Sequence, residues 1–156
     1  MVAMGPDEVC EELTARFEGL VPKASWGETS LFFNPGLVRP NGVYFCTIKQ
    51  RDGAHDRASH LDRPEVFRLA LGLTVPSYER LFGARPARPP KGGTVATGHD
   101  FMRLDSVMPH PVYAWMGWVQ VLSPSAATFA SMHPLFAESY DHAVRRFEKV
   151  GRRTSR

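Results

Sequence analysis

Apolar positions recur at helical spacing near both ends of the chain and at strand spacing between them. Val9, Leu13, Phe17 and Leu20 stand four, four and three residues apart, so residues 7–20 are expected to form a helix. Pro6 suits its first turn, and Gly19 with Pro22 should close it. Residues 30–33 are an apolar run too short for a helix, ending at the turn Asn34-Pro35-Gly36. Residues 43–49, after Asn41-Gly42, are rich in β-branched and aromatic side chains and predict a strand. Residues 67–73 alternate: Phe67, Leu69, Leu71 and Leu73 share one face, while Arg68, Ala70, Gly72 and Thr74 share the other. A strand with one bulky and one small face commonly lies under a helix or beside a cavity.

Residues 76–82 predict a short helix ended by Gly83, and residues 117–122 another strand. Ser123 is the expected cap of the next helix, with Pro124 at its first position. Phe129, Met132, Phe136, Tyr140, Ala143 and Phe147 then form a long stripe, which Pro134 should break into two helices near Met132. Between these elements, residues 51–64 are crowded with charged and polar side chains and read as a surface loop. Residues 84–93, with Pro86, Pro89, Pro90 and two glycines, read as a candidate mobile flap, and residues 99–108 as a weak helical turn. Strands joined by short connections, without repeated strand–helix–strand alternation, disfavour a doubly wound parallel sheet. The expected architecture is α+β: one domain over residues 1–150, mainly an antiparallel sheet with helices on one face, followed by a basic flexible tail at residues 151–156.

Composition narrows the function classes. In 156 residues, 43% are hydrophobic and 22% charged, which suits one packed domain. No apolar run approaches the roughly 20 residues of a membrane span. The N-terminal residues lack a basic segment followed by an apolar core, so no secretory signal is expected. The cysteines, Cys10 and Cys46, carry no metal-ligand spacing, and a reduced, cytoplasmic protein is expected. The net charge of +3 is unevenly placed. From Arg145 onward six basic residues face Glu148 alone, while the other 144 residues carry 13 basic and 15 acidic groups. The tail is a solvated end that would hold phosphate only non-specifically.

Six histidines (His55, His60, His99, His110, His133 and His142) lie among aspartates, yet no spacing is diagnostic of a metal. No phosphate-cradling glycine loop and no nucleophile elbow are present, so no cofactor is expected. Cys46 sits within an apolar strand as a small hydrophobe rather than a thiolate. Histidine titrates near neutral pH, which makes His99 and His110 the candidate catalytic residues. His110 is held between Pro109 and Pro111. Trp26, Arg68, Tyr113 and Trp118 are the candidate ligand-binding residues: the tryptophans on facing edges of the sheet would sandwich a planar ligand and Arg68 would pair with an anionic group. Trp115, outside the strand, is expected to be the freest of the aromatics.

Several segments carry a family likeness: Ser25-Trp26-Gly27-Glu28, residues 59–64, Gly98-His99-Asp100-Phe101, residues 108–113, residues 117–124 and residues 135–140. Together they resemble a small actinobacterial family of unknown function over roughly residues 20–145 of this chain. More distantly, the order of elements is similar to MmcQ/YjbR-like proteins. That resemblance implies a frataxin-like α+β fold and a suggested association with DNA. Two functions are therefore expected to compete. One is a small-molecule binder or cofactor-independent enzyme with an aromatic and histidine-lined pocket. The other is a DNA-binding accessory module using the basic C-terminal tail for weak nucleic-acid contact. No membrane partner is expected.

Overall fold

The computed structural model describes the backbone of residues 2–154 and the side chains of residues 2–151. Six strands form one sheet: β1 (Leu20–Ser25), β2 (Glu28–Phe33), β3 (Val43–Lys49), β4 (Arg68–Gly72), β5 (Met108–Pro109) and β6 (Trp118–Leu122). Their order is β1-β2-β3-β4-β6-β5, and every neighbouring pair is antiparallel. Four α-helices complete an α+β fold: α1 (Pro6–Arg16), α2 (Val75–Phe82), α3 (Ala126–Ser131) and α4 (His133–Thr154). Among the described residues no helix is long and apolar enough to cross a membrane. The side chains of residues 152–156, most of the expected basic tail, lie outside the described residues.

One face of the sheet is the hydrophobic face. Leu31, Cys46, Leu71 and Val119 lie in register across β2, β3, β4 and β6, and all four are fully buried. They share a core with Val9 and Leu13 of α1, Tyr78 of α2, Phe129 of α3, and Phe136 and Ala143 of α4. The helices therefore cover this face, where the apolar stripes leave water. The opposite face carries Arg68, Ala70 and Gly72 of β4 beside Leu122, Gln120 and Trp118 of β6. The alternation in residues 67–73 thus separates helix side from cavity side, as its pattern implies.

Three boundaries differ from the sequence pattern. The first helix ends at Arg16, and Leu20 opens β1 instead, because Gly19 takes a φ of +86° and turns the chain. The segment at 99–108 is not helical. Asp100 accepts from the Met102 amide at 3.1 Å to close a single turn, and Asp105 stands at a φ of +56°. Ser125, not Ser123, caps α3, accepting from the Thr128 amide at 3.2 Å. Ser123 is buried and instead ties the end of β6 to the chain entering β4: its Oγ accepts from the Phe67 amide and donates to the Glu65 carbonyl, each at 3.2 Å. The break at Met132 does fall where Pro134 demands it, since a proline in the first turn of α4 needs no intrahelical donor.

A β-bulge decides which side chains of β3 reach each face. Leu31 pairs with Cys46 but Phe32 pairs with Tyr44, which leaves Phe45 as the extra residue. Beyond it the alternation inverts. Phe45 joins Cys46 on the helical side, where its ring packs 5.7 Å from Phe17 and 6.3 Å from both Phe136 and Tyr140. Tyr44 is turned to the opposite face, 4.3 Å from Phe32. Replacing Phe45 with Ala should therefore lower stability by about 3–5 kcal/mol, the cost of a core aromatic deletion. Urea unfolding measures this, and a loss under about 1 kcal/mol would contradict the assigned packing.

Candidate functional site

On the face away from the helices lies an open cavity of about 510 Å³. Its floor is the sheet, and its walls are the turn at residues 53–56 and the segment at residues 110–116. The volume suits a small organic ligand. The wall is aromatic and apolar: Tyr44, Trp118, Tyr113, Val112 and Met116. Trp118 holds its position because β4 offers no side chain opposite it. A Cβ on Gly72 would come within 3.0 Å of the indole, so Gly72 lets the ring lie flat on the strand. Tyr44 and Trp118 meet edge to face at 6.5 Å.

The floor is charged. Glu28, Lys49 and Arg68 lie side by side across β2, β3 and β4. Lys49 pairs with Glu28 at 3.1 Å. Arg68 is 1% exposed and is satisfied from three directions. Asp56 accepts from both terminal nitrogens, at 2.5 and 2.8 Å, Gln120 accepts from Nε at 2.7 Å, and Ser59 accepts from Nη2 at 3.2 Å. Burial opposes ionisation of Asp56, but its hydrogen bonds to Arg68 and the guanidinium charge outweigh this and hold its pKa below the usual carboxylate range. The ring of contacts also explains the loop. Residues 51–64 do not all lie at the surface: Ser59 and Leu61 are buried, and Asp52 accepts from the Leu61 amide at 2.8 Å. A buried guanidinium requires partners, and no strand supplies a carboxylate there, so the loop folds down to bring Asp56 and Ser59.

His110 stands at the cavity wall, 3% exposed. Its Nδ1 accepts from the backbone amides of Val112 at 3.0 Å and Tyr113 at 3.1 Å. An atom accepting two N–H groups carries no proton, so the ring proton is on Nε2. No described residue accepts from that Nε2–H, which leaves it as the ring's remaining polar group at the cavity. Burial, then the positive charges of Arg68 and Lys49, push the His110 pKa well below the usual histidine range against the opposing pull of Asp56. The imidazole is therefore a neutral donor at physiological pH.

Of the six candidate residues, the fold brings Arg68, His110, Tyr113 and Trp118 to this cavity. Trp26 and His99 are elsewhere. Trp26 and Gly27 form the two-residue turn joining β1 to β2, with φ of 52° and 77°, and the indole at the hairpin tip is 98% exposed. It faces no second tryptophan, so the expected sandwich does not form. His99 is exposed, with Nδ1 2.9 Å from the Thr97 hydroxyl and its ring edge-on to Phe82. Trp115 is half-buried rather than free: its Nε1 donates to the Val112 carbonyl at 3.0 Å and Arg88 lies over its ring at 4.6 Å. Sequence reasoning missed Tyr44, Lys49, Glu28 and Asp56. The alternation of β3 could have placed Lys49 and Thr47 on the Arg68 face, but the bulge hides Tyr44. Among the described residues, no group of three or more His, Cys, Asp or Glu side chains is placed to hold a metal ion. Cys46 is fully buried, and burial raises its thiol pKa well above the usual range.

Family comparison matches residues 4–154, nearly the whole chain, to the family of unknown function DUF6194. The protein belongs to this family. No curated protein and no solved structure matches the chain.

Two outcomes follow from the charged floor of this DUF6194 protein. Asp56→Asn should destabilise it by about 3–5 kcal/mol, because the buried guanidinium is left uncompensated. Adding Arg68→Met should recover a large part of that loss in chemical denaturation, and purely additive losses would contradict the coupling. The second outcome concerns pH. The unfolded chain protonates His110 below about pH 6.5 whereas the folded chain, with its pKa depressed, does not. Stability from this group is thus full above pH 6.5 and falls as pH drops toward the folded pKa. Depression of the Asp56 pKa adds a further loss below about pH 4. His110→Asn, whose Oδ1 can take the two amides, should flatten the decline between pH 6.5 and 5. An unchanged slope in urea unfolding would contradict it.

Proposed function

We propose that this protein binds a small, flat organic molecule in the cavity between the sheet and residues 110–116. The observation that carries the reading is His110: a buried side chain with a fixed tautomer, whose one unpaired donor borders an open cavity walled by Tyr44, Tyr113 and Trp118. Pockets of this kind combine an apolar body with a few polar groups that fix orientation. Aromatic rings would stack on the ligand, and Nε2–H would donate to an oxygen or nitrogen at its head.

Binding is favoured over proton transfer at this site. Nδ1 is committed to two amides and Nε2 already holds its proton, so His110 has no free basic nitrogen at neutral pH. Asp56 is held ionised by Arg68 and is engaged in a fork with it. Both groups suit recognition.

The DNA reading rests on the distant likeness to MmcQ/YjbR-like proteins and on the basic end of the chain. Shortening the chain at residue 144 would be a poor test of it, because Phe147 packs at 5.2 Å on Phe33 and would be lost. Arg152, Arg153 and Arg156 can instead be changed together to Gln.

The test is a fragment screen by protein-observed NMR on the full chain, with the Trp118 indole and the His110 ring as reporters. His110→Asn should keep the melting temperature near that of the wild type and weaken cavity-bound fragments by about tenfold, the loss of one donor to a polar head. If no fragment shifts either reporter, while labelled duplex DNA binds both the wild type and the triple Gln variant with a steep salt dependence, the cavity reading fails and DNA association replaces it.

A further inference from the structure

The arrangement of charges under the cavity says what kind of head group it accepts. Lys49 and Arg68 are directly opposite one another on β3 and β4. Like charges so placed repel. The protein offsets them unequally. Arg68 is enclosed by Asp56, Gln120 and Ser59, and its fork with Asp56 is buried. Lys49 has a single carboxylate partner, Glu28, whose side chain is 33% exposed, and it retains donors for another acceptor. The third donor is His110 Nε2–H, on a ring that is 3% exposed, and it has no partner among the described residues. The floor is therefore richer in free donors than in free acceptors.

Formal charge sets the valence. Within the cavity lining two cations, Lys49 and Arg68, face two carboxylates, Glu28 and Asp56. Only the Lys49–Glu28 pair is loose enough to exchange, since Glu28 can rotate into water while Asp56 is locked to a buried guanidinium. Exchange frees one positive charge. A single negative charge replaces Glu28 without leaving excess, whereas a dianion would meet Asp56 uncompensated. The aromatic wall meanwhile calls for a flat, apolar body.

We propose that the cavity selects an aromatic monocarboxylate, its carboxylate bridging Lys49 Nζ and His110 Nε2–H and its ring lying against Trp118 and the two tyrosines. This rests on the reading of the cavity as a small-molecule site and adds the charge and valence of the ligand. Charge-assisted hydrogen bonds are the strong ones, which is why the carboxylate rather than a neutral head is preferred.

Three probes sharing one ring system separate the possibilities: 2-naphthoate, 2-naphthamide and 2-naphthyl phosphate, each titrated into the full chain. NMR shifts of the Trp118 indole and the His110 ring are the readout. Naphthoate should bind at least about tenfold more tightly than the amide and more tightly than the phosphate. Lys49→Met should erase most of the preference for naphthoate over the amide, and His110→Asn should weaken both probes by about tenfold. Amide binding equal to naphthoate overturns the carboxylate assignment and leaves the small-molecule reading standing. Tightest binding of the phosphate overturns the monoanion assignment in favour of a phosphoryl head. If none of the three shifts either reporter at millimolar concentration, the proposal fails, and a fragment screen that also finds nothing removes the small-molecule reading with it.

Discussion

A guanidinium that is almost wholly removed from water is the constraint around which the second face of this sheet is organised. Arg68 points away from the hydrophobic core, beneath a loop that has no regular secondary structure. An isolated buried charge would cost several kcal/mol, and the chain meets that cost with a carboxylate, an amide and a hydroxyl from two separate segments. Asp56 and Ser59 come from the loop and Gln120 from β6. Gln120 also donates to the Phe101 carbonyl at 3.3 Å, so the same network reaches the irregular segment near residue 100. Much of the non-helical part of the fold is thus tied to one side chain.

That anchoring produces a cavity rather than a second core. The loop closes over Arg68 at one end of the sheet, but toward Trp118 the face carries small residues on β4, and the segment at 110–116 stands off from it. The bulge in β3 supplies Tyr44 where regular alternation would have supplied Phe45. Each feature taken singly is ordinary packing. Jointly they leave aromatic surface, free donors and space in one place, the usual composition of a ligand site.

His110 links that site to the backbone around it. The two flanking prolines restrict the chain on either side of it, and the imidazole then caps the amides that follow. The cap fixes the tautomer, and burial beside two cations keeps the ring neutral. In this setting the imidazole is a neutral side chain whose Nε2–H is its remaining donor.

The sequence by itself determined the elements whose period is local. The stripe on α4 and its interruption at Pro134, the strand β3, and the two-faced alternation of β4 follow from spacing and from proline and glycine geometry, which act within a few residues. From the same alternation Arg68 was recognisable on the face opposite the leucines, and His110 stood out between its prolines. Tertiary structure alone decided the rest. Trp26 and Trp118 look equivalent in sequence, yet one sits at a hairpin tip and the other on an interior strand. Asp56 is one acid among many in a polar loop until a buried Arg68, on another segment, selects it as partner. Bulges, loop descent and charge pairing depend on contacts between residues distant along the chain, and no local period records those.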